Sequence, residues 1–177
     1  DPNNPNWTEI RTVEDFELAA MMELAELTDS APWKWWKKGG DVDHWNVKIE
    51  VIDAIHFLVS KLILIGLPAQ ENLLLTFQED GYKIIIEGRL SRMKMVSLMG
   101  RVIGHYANDT IELINDLCSS SNIGDEELAA IYVAKHTLNV LRCEGGYAAG
   151  LYKKIKSCGT EDNVFLKSVV DTFLNDP

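Results

Sequence analysis

The chain has 177 residues, of which 46% are hydrophobic and 25% charged. That is enough for one folded domain with its own core, and it excludes an intrinsically disordered chain. The formal net charge of −10 argues against broad nucleic-acid binding, which needs a basic surface, and suits a site that gathers carboxylates around cations. Three cysteines, Cys118, Cys143 and Cys158, are odd in number and lack zinc spacing, so they are expected to be reduced thiols of an intracellular, cytoplasmic protein.

Residues 1–12 are polar and read as a loop. Residues 14–29, EDFELAAMMELAELTD, are rich in strong helix formers with apolar positions at helical spacing. Thr12, with Asp15 three residues on, suits the start of that helix, and Pro32 stops it. GGDVDH is a loop, and a second helix is expected over residues 46–65, ended by Gly66 and Pro68. The longest apolar run, FLVSKLILIGL, is interrupted by Lys61 and too short to cross a bilayer, so no membrane partner is expected. A short third helix is expected over 69–80. KIIIEG is β-branched, but its neighbours read helical, so it is assigned to helix. One long helix then covers about 90–118. SSSNIGDEE is a loop, Asp125 leads a helix to about Cys143, and EGGYAAGLYKKIKSCGTEDN is glycine-rich and irregular. A last helix covers 163–174. No proline falls between Ala69 and Asp176, which favours helices. The sum is a single all-α domain, residues 1–177, built as a helical bundle.

Two acidic pairs stand out. Glu23 and Glu26 are three apart on the first helix and so share a face. Glu50 and Asp53 repeat the spacing on the second, whose apolar residues cover nearly the whole circumference, which implies burial. Carboxylates in a buried helix are costly unless paired or bound to metal, and Lys48 and Lys61 sit at offsets that do not serve both. Two such pairs facing each other would form a hard oxygen cage of the kind Mg2+ prefers, with Mn2+ as a substitute. The plain alternative is that an ExxE on a helix is a solvated face.

Two basic groups follow. Lys34, Lys37 and Lys38 are interleaved with Trp33, Trp35 and Trp36 directly after the first acidic pair. Exposed indoles beside lysines suit a ligand with a flat ring and anionic groups, such as a nucleoside phosphate; the alternative for any single indole is the core. Lys135, Asn139 and Arg142 fall on one helical face, and a glycine-rich turn with Tyr147 and Lys153 follows, a pattern that suits closing over phosphates. Carboxylates for a metal, with lysine and arginine nearby, are the tools of phosphoryl transfer or hydrolysis.

Taken in order, MELAELTDSAPWKWWKK, NVKIEVIDAIHF and AKHTLNVLRCEGGYAAGLYKK with the later EDN resemble the motifs of the dimeric all-α dUTPases, within the all-α nucleotide pyrophosphatases that include phage dCTPase-dUTPases. The resemblance covers about 15–57 and 131–166. It implies that Glu23, Glu26, Glu50 and Asp53 hold Mg2+, with Glu26 or Glu23 activating the attacking water. Phe57 would pack on the deoxyribose and exclude a 2′-hydroxyl. Trp35 would contact the base, with Lys34 and Lys37 in the same basic-aromatic motif. Lys135, Asn139, Arg142, Tyr147 and Lys153 would belong to a C-terminal segment that closes on the phosphates. The implied reaction takes dUTP, and dUDP, to dUMP in a homodimer. The family reads uracil with a glutamine on an N-terminal helix, which is expected to precede residue 1.

Three alternatives stay open at this point. One is a pyrophosphatase for another deoxynucleotide such as dCTP. Another is a di-iron carboxylate bundle, since Asp53 and His56 echo its Glu-x-x-His pair; it needs a second such pair, and the residues three before His105 and His136 are Val102 and Val133. The third is a non-catalytic helical interaction module.

Overall fold

The structure, a computed structural model, describes residues 7–66, 85–86, 89–103, 107–155 and 159–175. It is an all-α fold whose described residues form seven α-helices, one 3-10 turn and one two-residue hairpin. They group into two compact units, one of Arg11–Gly124 and one of Asp1–Ile10 with Asp125–Pro177.

The larger unit is built on two helices. α2 (Val13–Asp29) starts at a reciprocal capping box: the Thr12 side chain accepts from the Asp15 amide, and the Asp15 carboxylate accepts from the Thr12 amide. It buries Glu17, Ala20, Leu24 and Leu27, an alternating three-and-four spacing that puts all four on one face. α3 (His44–Leu64) is capped by Asp43, whose carboxylate accepts from the Asn46 amide. Its buried set includes Ile49, Val51, Ile52, Ala54 and Leu58, all at or below 1% exposure. Residues on every side of a helix are covered together only when neighbours pack around it, so its own unit covers most of α3. Each large aliphatic side chain buried here contributes about 1.5–3 kcal/mol.

α4 (Arg92–Val102) and α5 (Ala107–Ser121) complete the unit. Asp116 of α5 accepts from Lys94 at 2.5 Å and from Arg101 at 2.7 Å, tying both cations of one α4 face to a single carboxylate. Lys61, 1% exposed, donates to Glu17 at 2.7 Å and to the Val102 carbonyl at 3.1 Å, so one buried ammonium pins α2, α3 and α4 together. Lys61 therefore serves α2 and not the carboxylates of its own helix.

Three local expectations are corrected. The loop over 1–12 contains a single helical turn, α1 (Trp7–Ile10). KIIIEG is not helix where it is described: Ile85–Ile86 (β1) pairs antiparallel with Arg89–Leu90 (β2), so the β-branched residues prevail over their neighbours. The long helix over 90–118 is two helices, because α4 ends at Val102 with Ile103 in extended backbone and α5 begins anew at Ala107. The expected helix over 69–80 lies outside the described residues.

The smaller unit pairs α6 (Asp125–Glu144) with α7 (Asp162–Asn175), joined through a 3-10 turn at Tyr147–Ala149 and an isolated bridge between Ile155 and Glu161. α6 buries Leu128, Ile131, Lys135 and Leu138, and α7 buries Asp162, Leu166 and Val170. Along the two helices runs an apolar groove of about 530 Å³, at which Val133, Leu141, Phe165, Val169 and Phe173 remain exposed.

Candidate active site

The junction between α2 and α3 sets the register of the acidic pairs. Asn46 donates its side-chain amide to Ser30 Oγ at 2.8 Å, and the Asp43 amide donates to the Ser30 carbonyl at 2.8 Å. These bonds fasten the end of one helix to the start of the next, so the two run antiparallel. Stepping four residues away from Ser30 and Asn46 along their helices reaches Glu26 and Glu50. Three more reach Glu23 and Asp53. The spacing that puts each pair on one face also puts the pairs opposite each other.

The side chains follow that register. Glu23, Glu26 and Glu50 each bring a carboxylate oxygen within 4.8 Å of the others. Glu50 is buried, Glu23 half-buried and Glu26 exposed. Glu23 is pushed up to about 8, first by burial, then by the negative charge of Asp53, by a hydrogen bond shared with Glu50, and by the charges of Glu50 and Glu26. Asp53 is thus electrostatically part of the group although it stands outside the tightest three. Burial and the repulsion of the neighbouring acids together leave Glu23 holding its proton near neutral pH. Their donor atoms are all hard oxygens, the set that takes Mg2+ or Mn2+. Glu26 and Glu50 open onto a cavity of about 450 Å³ shared with Asp29, Asp41, Asp43 and Asn46.

The tryptophan turn follows the end of α2 at Asp29, with Trp33 seven residues past Glu26. Trp33 donates its indole N–H to Asp29 at 2.7 Å, and Lys34 Nζ stands 3.5 Å from the same carboxylate and 5.0 Å from the centre of the Trp33 ring. The Trp33 bond, followed by the Lys34 charge, holds the Asp29 carboxyl below its usual range. Trp36 meets Trp33 edge-on at 5.6 Å and Trp35 edge-on at 5.4 Å. This chain of rings leaves Trp35 78% exposed, a flat surface turned to solvent. Lys34, Trp35 and Lys37 line one cleft of about 370 Å³. Phe57, half-buried, lies one turn beyond Asp53 on α3.

The smaller unit holds the second basic group, arranged around an acid. Asp162, 1% exposed, accepts two bonds from Arg142, at 2.7 and 3.0 Å, and one from the Tyr152 hydroxyl at 3.0 Å. Burial pushes its carboxyl up, but the bonds and charge of Arg142, the Tyr152 hydroxyl and the Asn163 amide outweigh that and hold it below the usual range. Arg142 also donates to Asn139 and Asn163, and buried Lys135 donates to Asn163 at 3.2 Å. Lys135, Asn139 and Arg142 thus share a face as expected, but Arg142 grips a buried carboxylate. Tyr147 lies 6.2 Å from Tyr152, and Lys153 is exposed.

Several of these participants were given no role from the sequence. Asp162 and Asn163 fall in the EDN matched by the resemblance, but they sit about 20 residues from Arg142 and no local spacing shows that they pair with it. Arg89 and Arg92, which line the cleft beside Trp35, come from a stretch without a recognisable motif.

A family model described as dUTPase matches residues 4–147, a span that takes in the acidic pairs, the tryptophan turn and all of α6. No curated protein matches the chain.

Proposed function

The chain belongs to the dUTPase family, and from that premise we propose that it hydrolyses dUTP, and dUDP, to dUMP with a divalent metal held by Glu23, Glu26, Glu50 and Asp53. The observation that carries this reading is the acidic cluster, in which carboxylates from two helices converge until one of them is pushed up to about 8. Mg2+, or Mn2+ in its place, would supply positive charge to the phosphates when bound there. Glu26, exposed at the cavity, is the acid available to accept a proton from the attacking water, and Glu23 is its near neighbour for that role. Phe57, one turn past Asp53, would lie against the deoxyribose. Trp35 would stack on the base, while Lys34 and Lys37 would face the phosphates. In the C-terminal segment, Lys135, Asn139 and Arg142 would serve as the anchor through Asp162 and Asn163. Tyr147 and exposed Lys153 would then reach the substrate.

Removal of dUTP from the nucleotide pool belongs inside the cell, and the free thiols of Cys118 and Cys143 suit that setting. Among the described residues no helix is long and apolar enough to cross a membrane. A homodimer fits the reading, and the apolar residues exposed along α6 and α7 support it, because large contiguous apolar patches are uncommon on monomers.

The test is turnover with dUTP, dCTP, dTTP and UTP, each with and without Mg2+. The expected result is Mg2+-dependent release of dUMP from dUTP, with UTP poorly used. Faster hydrolysis of dCTP would assign the enzyme to cytosine nucleotides, and no hydrolysis of any would remove the catalytic reading.

A further inference from the structure

The cleft beside the tryptophan turn carries more charge than the motif around it explains. Lys34, Lys37 and Lys38 contribute from the turn, Arg89 from β2 and Arg92 from the first turn of α4, and all five line the same space of about 370 Å³ with Trp35. The chain has 27 acidic residues against 17 lysines and arginines, yet among the described residues no acid lines this cleft. Lys37, Lys38, Arg89 and Arg92 make no side-chain ion pair with another described residue. Elsewhere on α4 the opposite holds, since Lys94 and Arg101 share Asp116. Cations crowded together in an acidic protein repel one another. Of the five cations only Lys34 has a carboxylate partner among the described residues, Asp29 at 3.5 Å, and the other four are suited to an anion from outside.

The size and surroundings narrow the anion. A volume of this order accommodates a small molecule and not a duplex. Exposed Trp35 supplies a ring surface at its wall. The cleft neighbours the acidic cavity: Asp29 lines that cavity and is ion-paired to Lys34, which lines the cleft. A ligand with phosphates between the carboxylate-held cation and these arginines would meet positive charge from both sides. Arginine forks suit phosphate oxygens better than lysine does.

We propose that the hairpin and the start of α4 form a polyphosphate subsite, in which Arg89 and Arg92 bind the diphosphate end of a nucleoside triphosphate beside Lys34, Lys37 and Lys38. This rests on the reading of the chain as a nucleotide hydrolase, but it assigns substrate-binding residues to a part of the chain where no motif marks them. Held there, the terminal diphosphate leaves with its charge neutralised when the bond to the first phosphate breaks.

The test uses inorganic pyrophosphate as the probe, titrated calorimetrically into the whole metal-free protein at low salt. Arg89→Ala and Arg92→Ala should each weaken binding about tenfold, as loss of a charge-assisted pair does, and the double variant should weaken it further. Arg101→Ala, which removes a cation already held by Asp116, should leave pyrophosphate binding within twofold. Thermal melting checks that each variant is folded, and Mn2+ titration checks that the acidic cluster is intact. Absence of pyrophosphate binding by the unaltered protein, or equal losses in Arg101→Ala and Arg92→Ala, overturns the subsite. So does binding of a single-stranded oligonucleotide that needs Arg89 and Arg92 while pyrophosphate binding does not. Because no turnover is measured, a protein inert toward every nucleotide but showing the pattern above would lose the proposed activity and keep the subsite.

Discussion

At the scale of residues, the account turns on Glu23. Its carboxyl stays protonated to about pH 8 in the folded metal-free chain but ionises near 4.5 when unfolded. The folded state therefore holds an extra proton between those values, and raising the pH through that window favours unfolding. Thermal melts of the metal-free protein should show Tm falling from pH 5 to 8 and flattening above. Glu23→Gln, which keeps the shape without the charge, should abolish most of that slope and raise Tm at pH 8; an unchanged slope would mean that Glu23 is not the group that holds the extra proton. Asp29 and Asp162, both held below their usual range, act only on the acid side and do not confuse the result. Phe57 carries the second test at this scale. If its ring occupies the place of a 2′-hydroxyl, Phe57→Ala should narrow the ratio of kcat/KM for dUTP over UTP by about tenfold, the usual discrimination from a filled apolar pocket; an unaltered ratio would return Phe57 to packing. The two acidic pairs were legible because helical spacing alone puts each on one face, whereas Phe57 was named only through the resemblance. The grip of Arg142 on Asp162 was not legible: EDN was matched as part of a motif, but nothing local shows that its carboxylate reaches back across a glycine-rich segment.

At the scale of elements, α2 and α3 were read with nearly correct limits, since caps and periodicity agree in both. The errors fell where signals conflict. Helix-forming neighbours outvoted the β-branched run that became β1, and periodicity ran unbroken across the step from α4 to α5. The hairpin of α2 and α3 also depends on a buried pair that the sequence did not expose: Lys61 and Glu17 are 44 residues apart. Lys61→Ala would take the ammonium away from the buried Glu17 carboxylate and should cost about 3–5 kcal/mol in urea unfolding, whereas Lys61→Met combined with Glu17→Leu should recover most of it. A loss under 1 kcal/mol in the single variant would show that water reaches the pair. The segment after α6 is held mainly by short-range backbone bonds, among them Ala149 to Gly146 and Gly150 to Tyr147, with Gly146 and Gly150 at φ of +76° and +70°. Most of its side chains from Gly145 to Ile155 are exposed. If it closes on phosphates, hydrogen exchange over 145–155 should slow by tenfold or more when Mg2+ and a non-hydrolysable dUTP analogue are added. Equal exchange with and without ligand would exclude a lid.

At the scale of the whole molecule, an all-α fold was evident from a chain almost free of proline after residue 68 and rich in helix formers. Its grouping into two units was not, because the composition does not change at Gly124. The homodimer that the resemblance implies does not need α3 as its interface, since most of that helix is covered; the exposed apolar surface lies on α6 and α7 instead. The central claim is that four carboxylates of α2 and α3 are a divalent-metal site whose internal repulsion the metal relieves. Titration calorimetry of Mg2+ into the metal-free protein at pH 7, repeated in buffers of different ionisation enthalpy, tests it directly. Saturable binding that releases about one proton is expected, because a metal would displace the proton Glu23 retains, with the release fading above pH 9 and binding lost in Asp53→Asn. Absence of saturable binding, or binding that releases no proton at pH 7, would contradict it.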